Sequence, residues 1–120
     1  PDVDIKNLKL KEAEGIYRRD FWDRIKGDAI QSQDVANNLF DYAVNAGTRR
    51  AVRTVQRLTG AAQDGIVGPQ TLAAINSQDG LNLNLRLVLA RVDFYTEIAM
   101  RRAELRTFLV GWLRRALSFQ

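Results

Sequence analysis

Apolar residues recur at every third or fourth position along most of this chain, and almost nowhere in strict alternation. That spacing matches the turn of an α-helix and not the two-residue repeat of a strand. The sequence therefore predicts an all-α fold. Leu10, Ala13, Ile16, Tyr17 and Phe21 form a first stripe, with Glu12 and Glu14 early and Arg18 and Arg19 late, as a helix macrodipole favours. Gly27–Asp28 reads as the turn that follows. Ala36, Leu39, Phe40, Ala43 and Val44 mark a second helix from about Asp34 to Ala46, with Ser32 or Asp34 as its cap and Gly47 just past its end. Thr48 is then placed to cap a third helix, through Ala51, Val52, Val55 and Leu58, that stops at Gly60.

Residues 61–69 break the pattern. Asp64–Gly65 is a turn pair, Ile66 and Val67 are apolar, and Gly68–Pro69 opens a fourth helix that runs to about Asn76 with Pro69 in its first turn. A polar connector leads to a long helical pattern from about Asn82, carried by Leu85, Val88, Leu89, Val92, Tyr95 and Ala99. A further stripe at Leu105, Phe108, Leu109, Trp112, Leu113 and Ala116 is out of phase with it, which predicts a bend or break near Ala103–Thr107. The expectation is a single domain, 1–120, of five to six helices around one core.

Cysteine and histidine are both absent. That excludes a disulfide framework, thiol chemistry, a histidine-based triad and a Cys/His zinc site, so no metal and no cofactor are expected. Carboxylate chemistry remains, with four glutamates to perform it. No apolar run is long enough to span a membrane. The net charge of +4 is concentrated in residues 86–120, which hold seven arginines against three acids. Such a face either keeps helices solvated or meets an anionic partner. Arg106, Arg114 and Arg115 lie off the apolar stripe, and Arg114 and Arg115 are the candidates for such a contact. No nucleic-acid-binding motif accompanies them, so no specific nucleic acid is expected as a partner.

Two segments carry candidate chemistry. Asp41 and Asn45 are four residues apart and share a helix face, where a carboxylate and an amide could hold a sugar or a water. The alternative is structural, with Asn45 bonded to a nearby turn and Asp41 to a helix N-terminus or an arginine. The second segment is the fixed pattern of Asp64, Gly65, Gly68, Pro69 and Thr71, which on physical grounds alone is a well-made loop. Tyr17 and Trp22 are further candidates for a sugar-lined groove, although aromatic residues at helical spacing also build cores. Glu14, followed by Gly15, is an electrostatic feature of the first helix rather than a catalytic group.

These residues together carry a resemblance. Leu8-x-x-x-Glu12-Ala13-x-x-Ile16-Tyr17, Trp22-Asp23-x-Ile25-x-Gly27-Asp28, Phe40-Asp41-x-Ala43-Val44-Asn45-x-Gly47, Ala51-x-x-x-x-Gln56 and Asp64-Gly65-Ile66-Val67-Gly68-Pro69-x-Thr71-Leu72 stand in one order. With Phe94-Tyr95 and Gly111-Trp112-Leu113, that order resembles the bacterial and phage N-acetylmuramidases of glycosyl hydrolase family 108. The resemblance implies a lysozyme-like helical fold. It assigns residues 1–60 to the C-terminal part of a muramidase-like region and 61–120 to a peptidoglycan-binding-like region packed on it. It makes peptidoglycan the partner, Asp41, Asn45, Tyr17 and Trp22 groove candidates, and Asp64, Gly65, Gly68, Pro69 and Thr71 a peptidoglycan-binding motif. Some members of that family are described as secretion activators.

The family's catalytic glutamate stands in a Glu-Gly-Gly-Tyr motif near its N-terminus, before everything matched here. Glu14-Gly15-Ile16-Tyr17 only mimics it, and Lys9 stands where the family tends to have a Thr or Ser cap. The expectation is therefore part of a peptidoglycan hydrolase with no catalytic residue in this chain and the acid upstream. It would wait in the cytoplasm until released or exported, and act in the periplasm or cell wall. The alternative is a non-catalytic peptidoglycan-binding or secretion-associated interaction module. A small nucleic-acid binder is a third reading, from charge alone. The oligomeric state is unassigned, and the apolar Phe108–Trp112 end is a candidate dimer contact.

Overall fold

Every regular element among the described residues is helical, as the periodicity requires. The computed structural model describes Gly15 and residues 18–120, so Tyr17, Glu14 and most of the first stripe lie outside the described residues. Helix α1 is helical through residues 18–24. It is followed by α2 (Gln33–Ala46), α3 (Thr48–Thr59), α4 (Pro69–Asn76), α5 (Gly80–Arg101) and α6 (Leu109–Leu117), with 310 turns at Gly27–Ala29 and Ala103–Phe108.

The ends of these helices follow from local chemistry. The Ser32 hydroxyl accepts the Val35 N–H at 3.2 Å and starts α2, and Asp34 lies in the first turn. Gly47 ends α2 with φ 95°, a conformation that favours glycine, and serves at once as the N-cap of α3. The two helices are thus joined through one residue. Thr48 is not the cap expected of it: it lies inside α3, where its hydroxyl is buried without a hydrogen-bond partner among the described residues. Pro69 occupies the start of α4 as expected. Helix α5 begins about two residues earlier than its apolar pattern, because Asp79 Oδ1 accepts the Leu81 N–H at 3.1 Å. The 310 turn after Arg101 is the break that the change of phase requires.

The core lies where α2, α3 and α5 meet. Val35, Leu39 and Tyr42 from α2 pack against Val52 and Val55 from α3 and Leu83, Leu87 and Tyr95 from α5. Helix α4 packs on α3 and contributes Ile75, while α6 lies along α5 and buries Ala116. Asn76 ties the far end of α4 back, accepting the Gln31 N–H and donating to the Ala29 carbonyl, both at 2.9 Å. No helix among the described residues is long and apolar enough to cross a membrane.

One expectation is corrected on α5. Leu85 and Leu89, placed on its inward stripe by the sequence, are 44% and 65% exposed. The buried face instead runs through Leu83, Asn84, Leu87, Val88, Arg91, Tyr95 and Ala99. A reading of apolar residues alone passes over position 91 because it is an arginine, and so drifts onto the neighbouring leucines. Leu87→Ala should therefore cost about 2–5 kcal/mol of folding stability. Leu89→Ala should change it by about 0.5 kcal/mol or less. Urea denaturation of the two variants measures the difference directly.

Candidate functional site

Asp41 projects from α2 into the junction with α5 and α6 and is 4% exposed. Its Oδ2 accepts from Arg91 Nη2 at 2.7 Å and from Asn45 Nδ2 at 3.1 Å, and its Oδ1 accepts from Arg115 Nε at 2.6 Å. Arg91 is fully buried. It also donates through Nη1 to Asn38 Oδ1 at 2.8 Å and through Nη2 to the Tyr95 hydroxyl at 3.0 Å. Its guanidinium lies 5.2–5.6 Å from the ring centres of Tyr42, Tyr95 and Phe119. Asn38 donates to Asn84 at 2.9 Å, and Asn84 donates to the Phe119 carbonyl at 2.6 Å. A buried charge is tolerated only when paired and hydrogen-bonded, and here both groups are paired, with only Arg91 Nε left without a hydrogen-bond partner among the described residues. The spacing of Asp41 and Asn45 does bring them together. Asn45 stands exposed at the rim while the Asp41 carboxylate faces inward onto two arginines. Arg115, expected to face solvent or a partner, reaches back to that carboxylate.

The loop motif closes on a residue inside α3. Gln56 is fully buried. Its Nε2 donates to Asp64 Oδ1 (2.8 Å), the Ile66 carbonyl (3.0 Å) and Thr71 Oγ1 (3.0 Å), and its Oε1 accepts the Gly65 N–H (3.0 Å). Asp64 Oδ1 also accepts the Ile66 N–H, and this bond, with that from Gln56, holds its carboxyl below the usual carboxylate range. Asp64, Gly65 and Thr71 therefore meet around Gln56, while Gly68 and Pro69 lead into α4. The outer side of this loop lines a depression of about 630 Å³ with Asp64, Gly68, Pro69 and Gln70, and Ile66 projects at 69% exposure.

Trp22 is half-buried, edge-on to Phe40 at 5.7 Å, and donates from Nε1 to Asp28 Oδ1 at 2.9 Å. Gly27 beneath it is obligatory, since a Cβ there would lie 2.2 Å from the indole. Trp22, Phe40, Asn37 and Arg18 border a small groove of about 280 Å³. It shares no lining residue with the groove at Asn45, so Trp22 and Asn45 line separate depressions.

A larger groove, of about 510 Å³, opens beside Asn45. Phe94, Tyr95 and Trp112 form its apolar wall, and Arg50, Arg101 and Arg102 its polar one. Trp112 stacks on Tyr95 at 5.4 Å and on Phe108 at 5.9 Å, and Arg50 lies 4.4 Å over the Phe94 ring. The sequence places Tyr95 and Trp112 on apolar stripes and in the family pattern, and carries no signal at Arg50 or Arg101. The two described glutamates, Glu97 and Glu104, are exposed and paired with Arg101 and Arg102. The Glu104 carboxyl is held below its usual range by a backbone N–H and by Arg102, the opposite of what an acid catalyst needs. Among the described residues no cluster of three acidic side chains is placed to hold a metal ion.

Residues 50–117 match the family described as Predicted Peptidoglycan domain. The chain belongs to that family. Residues 1–47 match Glycosyl hydrolase 108, so one match ends at the joint between α2 and α3 and the other begins in the first turn of α3. The chain is also similar to the structure of Brucella abortus SagA, with a TM-score of 0.80 and 29% identity. That likeness covers 91% of this chain and 60% of the other, so this chain spans less than two thirds of that chain's length. No curated protein matches it. The architecture is the all-α, lysozyme-like one that the sequence implied. The peptidoglycan-domain segment contains the Gln56 knot, Arg91 and the aromatic wall of the larger groove.

Removing Arg91 leaves Asp41 buried with less compensation, and Arg91→Ala should cost about 3–5 kcal/mol in a denaturation experiment. Burial also raises the Tyr42 phenol above its usual value of 10.0, against the opposing effect of its hydrogen bond with Thr54. The unfolded chain then loses this proton at lower pH than the folded one. Stability is full below the unfolded value and falls as pH rises through the folded one. Tyr42→Phe should flatten that alkaline fall in Tm.

Proposed function

We propose that this chain is the wall-contacting part of an N-acetylmuramidase-type peptidoglycan hydrolase, with its general acid on a glutamate outside these residues. The observation that carries the reading is the composition of the larger groove. Asn45 and Ala46 belong to the Glycosyl hydrolase 108 match, whereas Arg50, Phe94, Tyr95 and Trp112 belong to the peptidoglycan-domain match. The two matched segments thus build one concave surface. Aromatic rings pack against the C–H faces of sugars, and amide and guanidinium groups bond their hydroxyl and acetamide oxygens.

Glycoside cleavage needs a carboxyl held protonated beside the leaving oxygen. Asp41 is locked between two arginines, Glu97 is paired in the open, and Asp64 and Glu104 are held below their usual range. In this reading Asp41 positions Asn45 and braces the groove, Trp22 and the outside of the Asp64–Thr71 loop offer secondary wall contacts, and chemistry requires another carboxyl. The protein acts at the cell wall or periplasm after release or export from the cytoplasm. A second reading, a non-catalytic peptidoglycan-binding or secretion-associated module, is favoured by the arginine-bound state of Asp41, Glu97 and Glu104.

The purified chain should sediment with peptidoglycan without clearing a wall suspension, and the full-length gene product should clear it. Clearing by this chain alone would overturn the placement of the acid; binding without clearing by both would favour the second reading. Asn45→Ala and Arg101→Ala, at exposed positions, should each weaken retention by about threefold to tenfold, the loss of one hydrogen bond.

A further inference from the structure

Helix α3 carries Arg49, Arg50, Arg53 and Arg57 and no acidic residue. Arg49 and Arg50 occupy its first turn, where the helix dipole disfavours cations, and Arg53 and Arg57 follow one turn apart on one face. All four are exposed. The exposed Arg24, Arg101 and Arg102 are paired with Asp20, Glu97 and Glu104. Arg53 and Arg57 have no ion-pair partner among the described residues, and Arg49 feels only the field of Asp64, without an ion pair. Together with Thr54 and Gln63 these arginines line a groove of about 530 Å³. Beyond the Phe94 ring under Arg50 and the helix C-terminus at Arg57, nothing local offsets this concentration of like charge, and an anion in the groove would stabilise it.

The groove is built rather than incidental. Gly65 has φ 80°, and a Cβ there would lie 2.8 Å from Arg49 Cγ and 3.5 Å from Arg53 Cγ. The Asp64–Gly65 turn, pinned by Gln56, therefore makes room for the arginine stems. Arg50 and Ala46 line both this groove and the aromatic one, so the two are continuous.

We infer that the arginine groove binds the carboxylates of peptidoglycan's peptide stems, beside the sugars held in the aromatic groove; this rests on the wall-contacting reading above. A guanidinium matches a carboxylate in a bidentate geometry. Peptide stems branch sideways from the glycan strand and carry several carboxylates, so a strand in one groove presents them to the other. A phosphodiester wall polymer offers the same arginines an anion, and walls with and without that polymer separate the two.

The test compares this chain with its Arg53→Gln/Arg57→Gln variant, after circular dichroism confirms that both are folded. Three walls are used: peptidoglycan freed of phosphate polymers, the same wall stripped of stems by an amidase, and untreated wall. Stem removal should weaken wild-type retention by about tenfold, and the variant should bind phosphate-free wall about tenfold more weakly and ignore stem removal. Equal wild-type retention with and without stems overturns the inference, as does retention that requires the phosphate polymer. A soluble stem tetrapeptide tests the groove independently. Chemical-shift changes confined to residues 46–57 and Gln63, abolished in the variant and weakened by salt, support the inference, and their absence overturns it. Failure of the wild type to bind any wall, with the peptide response intact, counts against the wall-contacting reading and not against the groove.

Discussion

The buried contact between Arg91 and Asp41 sets the arrangement of the helices. An arginine in the middle of the inward face of α5 is tolerable only where a carboxylate and further acceptors await it, and α2 supplies both Asp41 and Asn38. That requirement fixes the rotation of α5 about its axis and its register against α2. The same carboxylate takes Arg115 from α6, and Asn84 on α5 takes the carbonyl of Phe119. Three helices and the end of the chain are thereby held by one polar network inside an otherwise apolar core. Hydrophobic contacts supply the bulk of the stabilisation, but they are non-directional. The ion pair is what distinguishes this packing from a neighbouring rotation of α5 that would bury Leu85 and Leu89.

A second constraint is the Gln56 amide. It is buried and makes its bonds to groups of the 61–69 loop and of α4. The loop therefore has one shape, and the arginine side chains of α3 lie against its glycine. Gly47 works at the other end of α3, turning the chain between two helices within one residue. Between these two points α3 is held rigidly, which is what a row of like charges needs if it is to form a groove rather than a diffuse cloud.

The buried and exposed polar groups divide their roles accordingly. Asp41, Asn38, Asn84 and Arg91 bond one another and Gln56 bonds the 61–69 loop, and these hold the fold, whereas Asn45, Arg50, Arg53, Arg57 and Arg101 face the two open grooves. Asn45 links the two sets, since its amide donates to Asp41 while its position is at the groove rim.

Helix count, the turn at Gly47, the start at Pro69 and the break after Arg101 were legible in the sequence, because each depends on residues adjacent in the chain. So was the shared face of Asp41 and Asn45, which needs only helical spacing. An arginine was among the expected partners of Asp41, but which arginines was not legible, because they lie 50 and 74 residues away. The inward stripe of α5 was misread for the same reason: a lone arginine becomes a core residue only once its partner is known. The arginine row on α3 was visible in the letters but vanished in the charge total of the first 85 residues, which balances to zero. Local composition thus determined the helices and their ends. Only tertiary structure decided which polar groups are spent inside the core and which remain to meet a ligand, because burial and pairing are relations between distant parts of the chain.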